Sequence, residues 1–174
     1  MGVLELAVVA VAWLASPAML ARQCEGPDVD PWVSDFRSRV ESYDALYQLA
    51  VERYGPPSEC EGAVTMEFDG VNFGSLIFGF RGGITYSVET MPPESSVRVL
   101  RAPGGFEEPE QVQQALRDYA SGIGLAIDWS TPEVSEEAGE VIHRFWDPEP
   151  GLNASGFLIF LDDTLVGIGS SLAL

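Results

Sequence analysis

The sequence contains two similar β-hairpin patterns, GSLIFGFRGGITYSVET at residues 74–90 and SGFLIFLDDTLVGIGSS at residues 155–171. The two stretches match position for position as a strand, a tight turn and a second strand. A second match lies upstream of each hairpin, between residues 58–68 and residues 135–145. The sequence therefore predicts an internal repeat, in which each residue can be compared with its counterpart in the other copy.

A helical pattern precedes each hairpin. Asp30 and Pro31 supply a helix cap and a first-turn proline, and apolar residues then recur at three- and four-residue spacing until Gly55. This pattern predicts one long helix, and a shorter pattern predicts a second helix at residues 109–121. Strands are predicted near residues 62–69, 73–81, 84–90, 96–101, 124–129, 138–146, 156–161 and 165–172, with Gly82 and Gly83 forming a two-residue turn.

Each copy is thus predicted as one helix followed by four strands, repeat one at residues 31–102 and repeat two at residues 107–174. We expect an α+β fold in a single globular domain, in which the repeats form an antiparallel sheet with the helices on one face. Both one sheet of about eight strands and two small packed sheets satisfy the pattern. The absence of strand–helix–strand alternation disfavours a doubly wound nucleotide-binding fold.

The chain is strongly acidic, with 27 acidic residues against 9 basic ones and a formal net charge of −18. All the basic residues are arginine. A surface of this sign repels the phosphates of nucleic acids and of anionic lipids, so direct nucleic-acid binding is not expected. The acidity fits a protein with a basic partner, but the absence of a long run of single-sign charges favours adaptation for solubility or for high salt.

The N-terminal residues 3–21 are almost uninterruptedly apolar, and the stretch ends in small residues. We interpret residues 1–21 as a signal peptide and residues 22–30 as a linker, although Met1 and Gly2 lack the usual positive charge. The alternative is an uncleaved anchor. The sequence predicts an extracytoplasmic protein, periplasmic or secreted, with no stable membrane span after cleavage.

The chain has 2 cysteines, Cys24 and Cys60. In an oxidising compartment an even count allows one disulfide, and we predict that these two residues form it. The counterpart of Cys60 in the other copy is Glu137, so the thiol does not belong to the common core of the repeat.

No catalytic constellation is evident. The single histidine, His143, corresponds to Met66 in the first copy, and we therefore predict a structural role for it in the core. Asp147, Glu149 and Asn153 crowd one loop, but their spacing matches no EF-hand and polar loops are common. The sequence predicts no cofactor, no metal site and no catalytic residue, and an enzymatic function is not expected.

Four residues form a candidate interface: Leu158, Phe160, Val166 and Ile168. In the first hairpin the corresponding strand face is mostly small or polar, whereas here it is apolar. Either another part of the chain covers these four side chains, or a partner or a second copy of the protein does.

A helix, the segment Tyr54-Gly55-Pro56-Pro57 and a set of strands, repeated and closed by FLIFLDDTLVGIG, resemble the tandem-repeat architecture of secreted bacterial inhibitor proteins, of the beta-lactamase-inhibitor-like kind. The segment from Val99 to Trp129 also resembles toxin-immunity proteins. The chain lacks the cysteine pairs within each repeat that the first resemblance implies, and no functional residue is carried over from either.

These observations favour a non-enzymatic exported binding protein, an inhibitor, an immunity factor or an envelope-associated factor, that acts through contact with a protein. The partner would be a basic protein or a second copy of the chain. The alternatives are a small carboxylate-based hydrolase or carbohydrate-active protein, and an acidic mimic of nucleic acid.

Overall fold

The computed structural model describes residues 30–68, 70–91, 95–149 and 153–173. Over these ranges it is an α+β protein, as expected, with one eight-stranded antiparallel sheet and three helices. The helices are α1 (Pro31–Tyr43), α2 (Ala45–Tyr54) and α3 (Pro109–Gly122). The strands are β1 (Glu59–Phe68), β2 (Val71–Gly79), β3 (Thr85–Met91), β4 (Ser95–Arg101), β5 (Glu133–Glu137), β6 (Glu140–Trp146), β7 (Asn153–Leu161) and β8 (Thr164–Ala173).

The strand order is β1-β2-β3-β4-β8-β7-β6-β5, so the first four strands form one half of the sheet and the last four form the other. The halves join where β4 pairs with β8, with Leu100 opposite Ile168. The two matched hairpins, β2–β3 and β7–β8, hold different places, because β8 borders the joint while β3 lies one strand away from it. The interpretation as two tandem repeats stays a prediction.

The single long helix predicted from residue 31 to residue 54 is wrong, because the chain breaks at Asp44. This residue adopts an extended conformation, with φ −89° and ψ 110°. Its N–H still closes the last turn of α1 by donating to the carbonyl of Val40 at 3.1 Å. Its carboxylate begins α2 by accepting from the N–H groups of Leu46 and Tyr47, which is the usual role of an aspartate helix cap.

The strand predicted at residues 124–129 is a loop. Its backbone donors have partners other than a neighbouring strand: the N–H of Ala126 donates to the Asp147 carboxylate at 2.8 Å, and that of Asp128 donates to the Trp146 carbonyl at 3.0 Å. The apolar residue Ile127 of this loop lies in the core. The edge of the second half of the sheet is formed by β5. The sequence did not predict this strand, and its five residues are all exposed.

The turns of the two hairpins use backbone conformations with positive φ. Gly82 and Gly83 both have φ 75° and belong to a three-residue turn from Arg81 to Gly83, which is one residue longer than predicted. The second hairpin turns at Asp162 and Asp163, with φ 48° and 62°, a conformation that aspartate tolerates better than most residues do.

Buried apolar side chains form two clusters. The main core contains residues of all three helices together with strand residues such as Leu76, Tyr86 and Leu100. The second, which we call the strand-only cluster, consists of Ile142, Phe157, Ile159 and Val166 with Val97 and Val99 packed against it.

A bulge in β8 explains why Val166 and Ile168 belong to different clusters although they are two residues apart. Ile159 pairs with Gly167 while its neighbour Phe160 pairs with Leu165, so Val166 is the extra residue. Leu165 consequently joins the main core and Val166 joins the strand-only cluster.

In each half of the sheet an indole ring lies against a glycine of a strand. A Cβ atom added to Gly74 on β2 would overlap the ring of Trp32 on α1, and one added to Gly156 on β7 would overlap the ring of Trp129. Both glycines therefore make room for a tryptophan. Among the described residues, no helix combines the length and apolar character needed to cross a bilayer.

We predict that Gly74→Ala and Gly156→Ala each lower the free energy of unfolding by about 1–3 kcal/mol, because the added methyl group would displace an indole ring. Gly104→Ala is the matched control, since no atom lies within 4 Å of its Cβ position. Urea unfolding followed by tryptophan fluorescence measures the difference. Equal stability of Gly74→Ala and Gly104→Ala would contradict the close approach of Trp32.

Candidate ligand-binding cleft

The Asp44 carboxylate is the centre of a buried polar group below α1. Its side chain is only 4% exposed, and it accepts four hydrogen bonds. Oδ1 accepts from the backbone N–H of Leu46 at 3.0 Å and of Tyr47 at 3.3 Å. Oδ2 accepts from the Tyr86 hydroxyl and from Nε of Arg98, each at 2.6 Å. The first turn of α2 is thereby joined to strands β3 and β4.

Arg98 extends from β4 toward the helices and makes two polar contacts with the described residues. Its Nε donates to Asp44, and its Nη1 donates to the Ser96 hydroxyl at 2.7 Å. Burial by itself would lower the pKa of Arg98, but the neighbouring Tyr119 and Asp44 raise it overall. The guanidinium group therefore carries its positive charge throughout the physiological pH range.

Above this pair lies an open cavity of about 630 Å³. Its sides come from α1, from the ends of β1–β2 and β3–β4, and from the C-terminal end of α3. The rings of Trp32 and Phe36 stand 5.0 Å apart, centroid to centroid, on the α1 side. Arg98 and Asp44 contribute polar lining, so the cavity combines aromatic walls with an ion pair.

The rim of this cavity is unusually apolar. Tyr43 is 84% exposed, the highest value among the large apolar side chains of the described residues. Val71, Met91 and Ile123 also line the cavity and are exposed. These four are more than half of the seven exposed large apolar side chains in the part of the chain that the structure describes. Exposed apolar surface is thus concentrated at one place.

The four residues of the sequence-predicted interface do not form one surface in the monomer. Leu158 and Ile168 are buried in the main core, and Val166 is buried in the strand-only cluster. Phe160 is half-buried and packs against the main core. This placement is expected if another part of the same chain covers these four side chains. An interface with a partner or with a second copy stays a prediction.

The other sequence-predicted residues lie apart from the cleft. His143 is half-buried on β6, with its ring 4.8 Å from that of Phe160, so the predicted structural role fits its position. Cys60 lies on β1, while Cys24 and the predicted signal peptide fall outside the described residues, and the Cys24–Cys60 bridge stays a prediction.

In the acidic loop that contains Asp147, Glu149 and Asn153, the first carboxylate has a structural role. Asp147 accepts from the backbone N–H of Ala126 at 2.8 Å and of Glu149 at 2.9 Å, which ties the loop before β5 to the end of β6. In the described ranges, no group of three or more His, Cys, Asp or Glu side chains is arranged to hold a metal ion.

Sequence reasoning missed both Asp44 and Arg98, although each left a signal. Arg98 lies two residues before Leu100 on a strand, so the two side chains share the buried face. An arginine at such a position needs a buried acid, because an isolated charge is costly to desolvate. Asp44 occurs within a helical apolar pattern, where a residue that favours helix caps marks a break.

We predict that Asp44→Ala lowers the free energy of unfolding by about 3–5 kcal/mol, because it removes a helix cap and leaves Arg98 without its buried partner. Asp35→Ala is the control, since it removes an exposed ion pair with Arg39 on α1 and should cost less than about 1 kcal/mol. Urea unfolding of both variants gives the comparison. A loss for Asp44→Ala no larger than that for Asp35→Ala would refute the structural role of the pair.

We also predict that the protein loses stability as the pH rises above about 10. Burial, and then the charge and hydrogen bond of Asp44, raise the pKa of Tyr86 well above its usual 10.0. The unfolded chain therefore releases this proton at a lower pH than the folded chain does, and unfolding becomes more favourable in alkali.

Phenolate absorbance and urea unfolding, measured between neutral pH and pH of about 11, test the alkaline prediction, with Tyr86→Phe as the reference. The difference in absorbance between the two proteins should stay small until the wild type unfolds. Ionisation of Tyr86 near its usual pKa in the folded protein would refute it.

Comparisons of this chain with protein families, with curated proteins and with solved structures found no match.

Proposed function

We propose that this chain is an exported, non-enzymatic binding protein that acts through contact with another protein, and that the cleft and its rim are its contact surface. The single observation that carries the proposal is the concentration of exposed apolar side chains around the cavity: Tyr43, Val71, Met91 and Ile123. Export is supported by the apolar segment at residues 3–21.

The rim has the composition expected of the central part of a protein interface. Aromatic residues and methionine are enriched in such interfaces, and tyrosine is frequent among the residues that contribute most binding energy. The ion pair beneath the rim gives a polar centre that is already held in place, so little side-chain entropy would be lost there on binding.

A binding role rather than a catalytic one is supported by the way Asp44 is used. Its two oxygens accept four hydrogen bonds, which stabilise the carboxylate and occupy the lone pairs that a general base would need. The group is arranged as a structural support for the cleft.

The same proposal includes the repeated architecture, with two units of helix and four strands, of which the first has its helix divided into α1 and α2. A shared face for the helices is supported by the main core, which contains residues of all three helices, and by the separate strand-only cluster. Such an arrangement would give one helix-covered side, where the cleft lies, and one side of bare strands.

We predict that a photo-crosslinking amino acid placed at Ile123 captures a protein partner in the producing cells. The matched control is the same amino acid at Val134, because Val134 is also an exposed apolar residue but lies on the edge strand β5, away from the cleft lining. The partner should be found outside the cytoplasm.

With the partner identified, Ile123→Asp should weaken its binding by at least about tenfold, whereas Val134→Asp should leave the affinity within about twofold. Equal cross-linking from both positions, or equal loss of affinity, would refute the cleft as the contact surface. An unprocessed chain confined to the cytoplasm would refute export.

A further inference from the structure

The charged group of the cleft that has hydrogen-bonding capacity left open is a donor, the guanidinium of Arg98. A guanidinium group has five N–H bonds, and Arg98 uses Nε for Asp44 and Nη1 for Ser96. Its Nη2 has no acceptor among the described residues. This nitrogen is not a buried orphan, because the side chain is 24% exposed and the only buried unpaired side-chain atom in the described ranges belongs to Glu61. Arg98 itself lines the cavity.

The two carboxylates of the cleft, by contrast, are engaged. Asp44 already receives four donors, the Ser96 hydroxyl receives Nη1 of Arg98, and Asp35 pairs with Arg39 on α1. A ligand that fits this cavity should therefore bring an acceptor. A carboxylate is the group that best matches the planar N–H pattern of a guanidinium.

The aromatic side chains of the cavity indicate what the rest of the ligand should be. Trp32 and Phe36 stand beside the cavity, and Tyr43 stands at its rim, so the body attached to the acceptor should be apolar or aromatic. The two acids and two arginines of the lining cancel and the chain as a whole carries −18, so a single negative charge is repelled less than a double one. Doubly charged phosphates would be repelled.

We propose that this cleft binds a monocarboxylate with an apolar or aromatic body, whose carboxylate is received by Nη2 of Arg98. The proposal rests on the proposed function, since it names the chemical group that a partner would place in the contact surface. That group can be the C-terminal carboxylate of a partner protein or a free organic acid, and the two sources share the same chemistry.

The test uses the purified full chain without any partner. Phenylacetate and phenylacetamide have the same aromatic body, but only the first has a carboxylate. Each is titrated to about 10 mM while the indole N–H signals are followed by NMR. The signal of Trp32 should shift with phenylacetate, and phenylacetamide should bind at least about tenfold more weakly.

Trp129 is the internal control. Its ring also lies over a strand glycine and has an arginine nearby, with Cζ of Arg117 5.8 Å from the ring centroid, but it does not line the cavity. Its signal should stay unchanged. Arg98→Lys keeps a positive charge beside Asp44 but lacks the planar fork, and it should lose the preference for the acid. Where this variant does not fold, the comparison of acid and amide in the wild type decides.

An acetylated peptide that ends in Phe, with a free or an amidated C-terminus, separates the two sources. Binding of the free-ended peptide supports a chain terminus as the ligand, and binding of phenylacetate alone supports a small organic acid. Equal shifts with acid and amide, or no shift at Trp32, would overturn the proposal. The partner cross-link at Ile123 is measured separately, so the binding function can stand when the carboxylate site fails, and the reverse.

Discussion

The carboxylate of Asp44 connects parts of the chain that are far apart in sequence. It begins α2, directly after the backbone N–H of the same residue has closed the last turn of α1, and it holds Tyr86 of β3 and Arg98 of β4 through hydrogen bonds of 2.6 Å. A buried ion pair is a weak source of net stability, because desolvating both charges offsets most of their attraction. It is a strong source of geometric specificity, since any other placement of α2 on the sheet would leave a charge buried alone. The position of the helices, and therefore the shape of the cleft, depends on this contact.

The same contact explains why a polar group lies beside an apolar cavity. A guanidinium fixed by Asp44 and Ser96 cannot collapse onto the aromatic walls, so the space above it stays open. On α1, the ring of Trp32 lies close to the sheet, because Gly74 leaves room for it on β2.

Most of the strands could be predicted from the sequence, because apolar residues at alternating positions, such as Leu76, Phe78 and Tyr86, are typical of strands with one buried face. The loop at residues 124–129 has the same alternation, but its backbone donors bind Asp147 and the Trp146 carbonyl, and no local pattern records such distant partners. The edge strand β5 lacks apolar alternation, and it joins the sheet by pairing with β6. The cleft could not be predicted, since its lining comes from separate segments that only the packing of α1 and α3 brings together.

The joint between β4 and β8 has a consequence for how the molecule is made. β4 receives its second neighbour only when β8 has been synthesised, after the helix α3 and the three strands β5, β6 and β7. Contacts between segments so distant in sequence form slowly. During that interval the hydrogen-bonding edge of β4 is open, so the first half of the sheet can form before the strand that joins it to the second half exists.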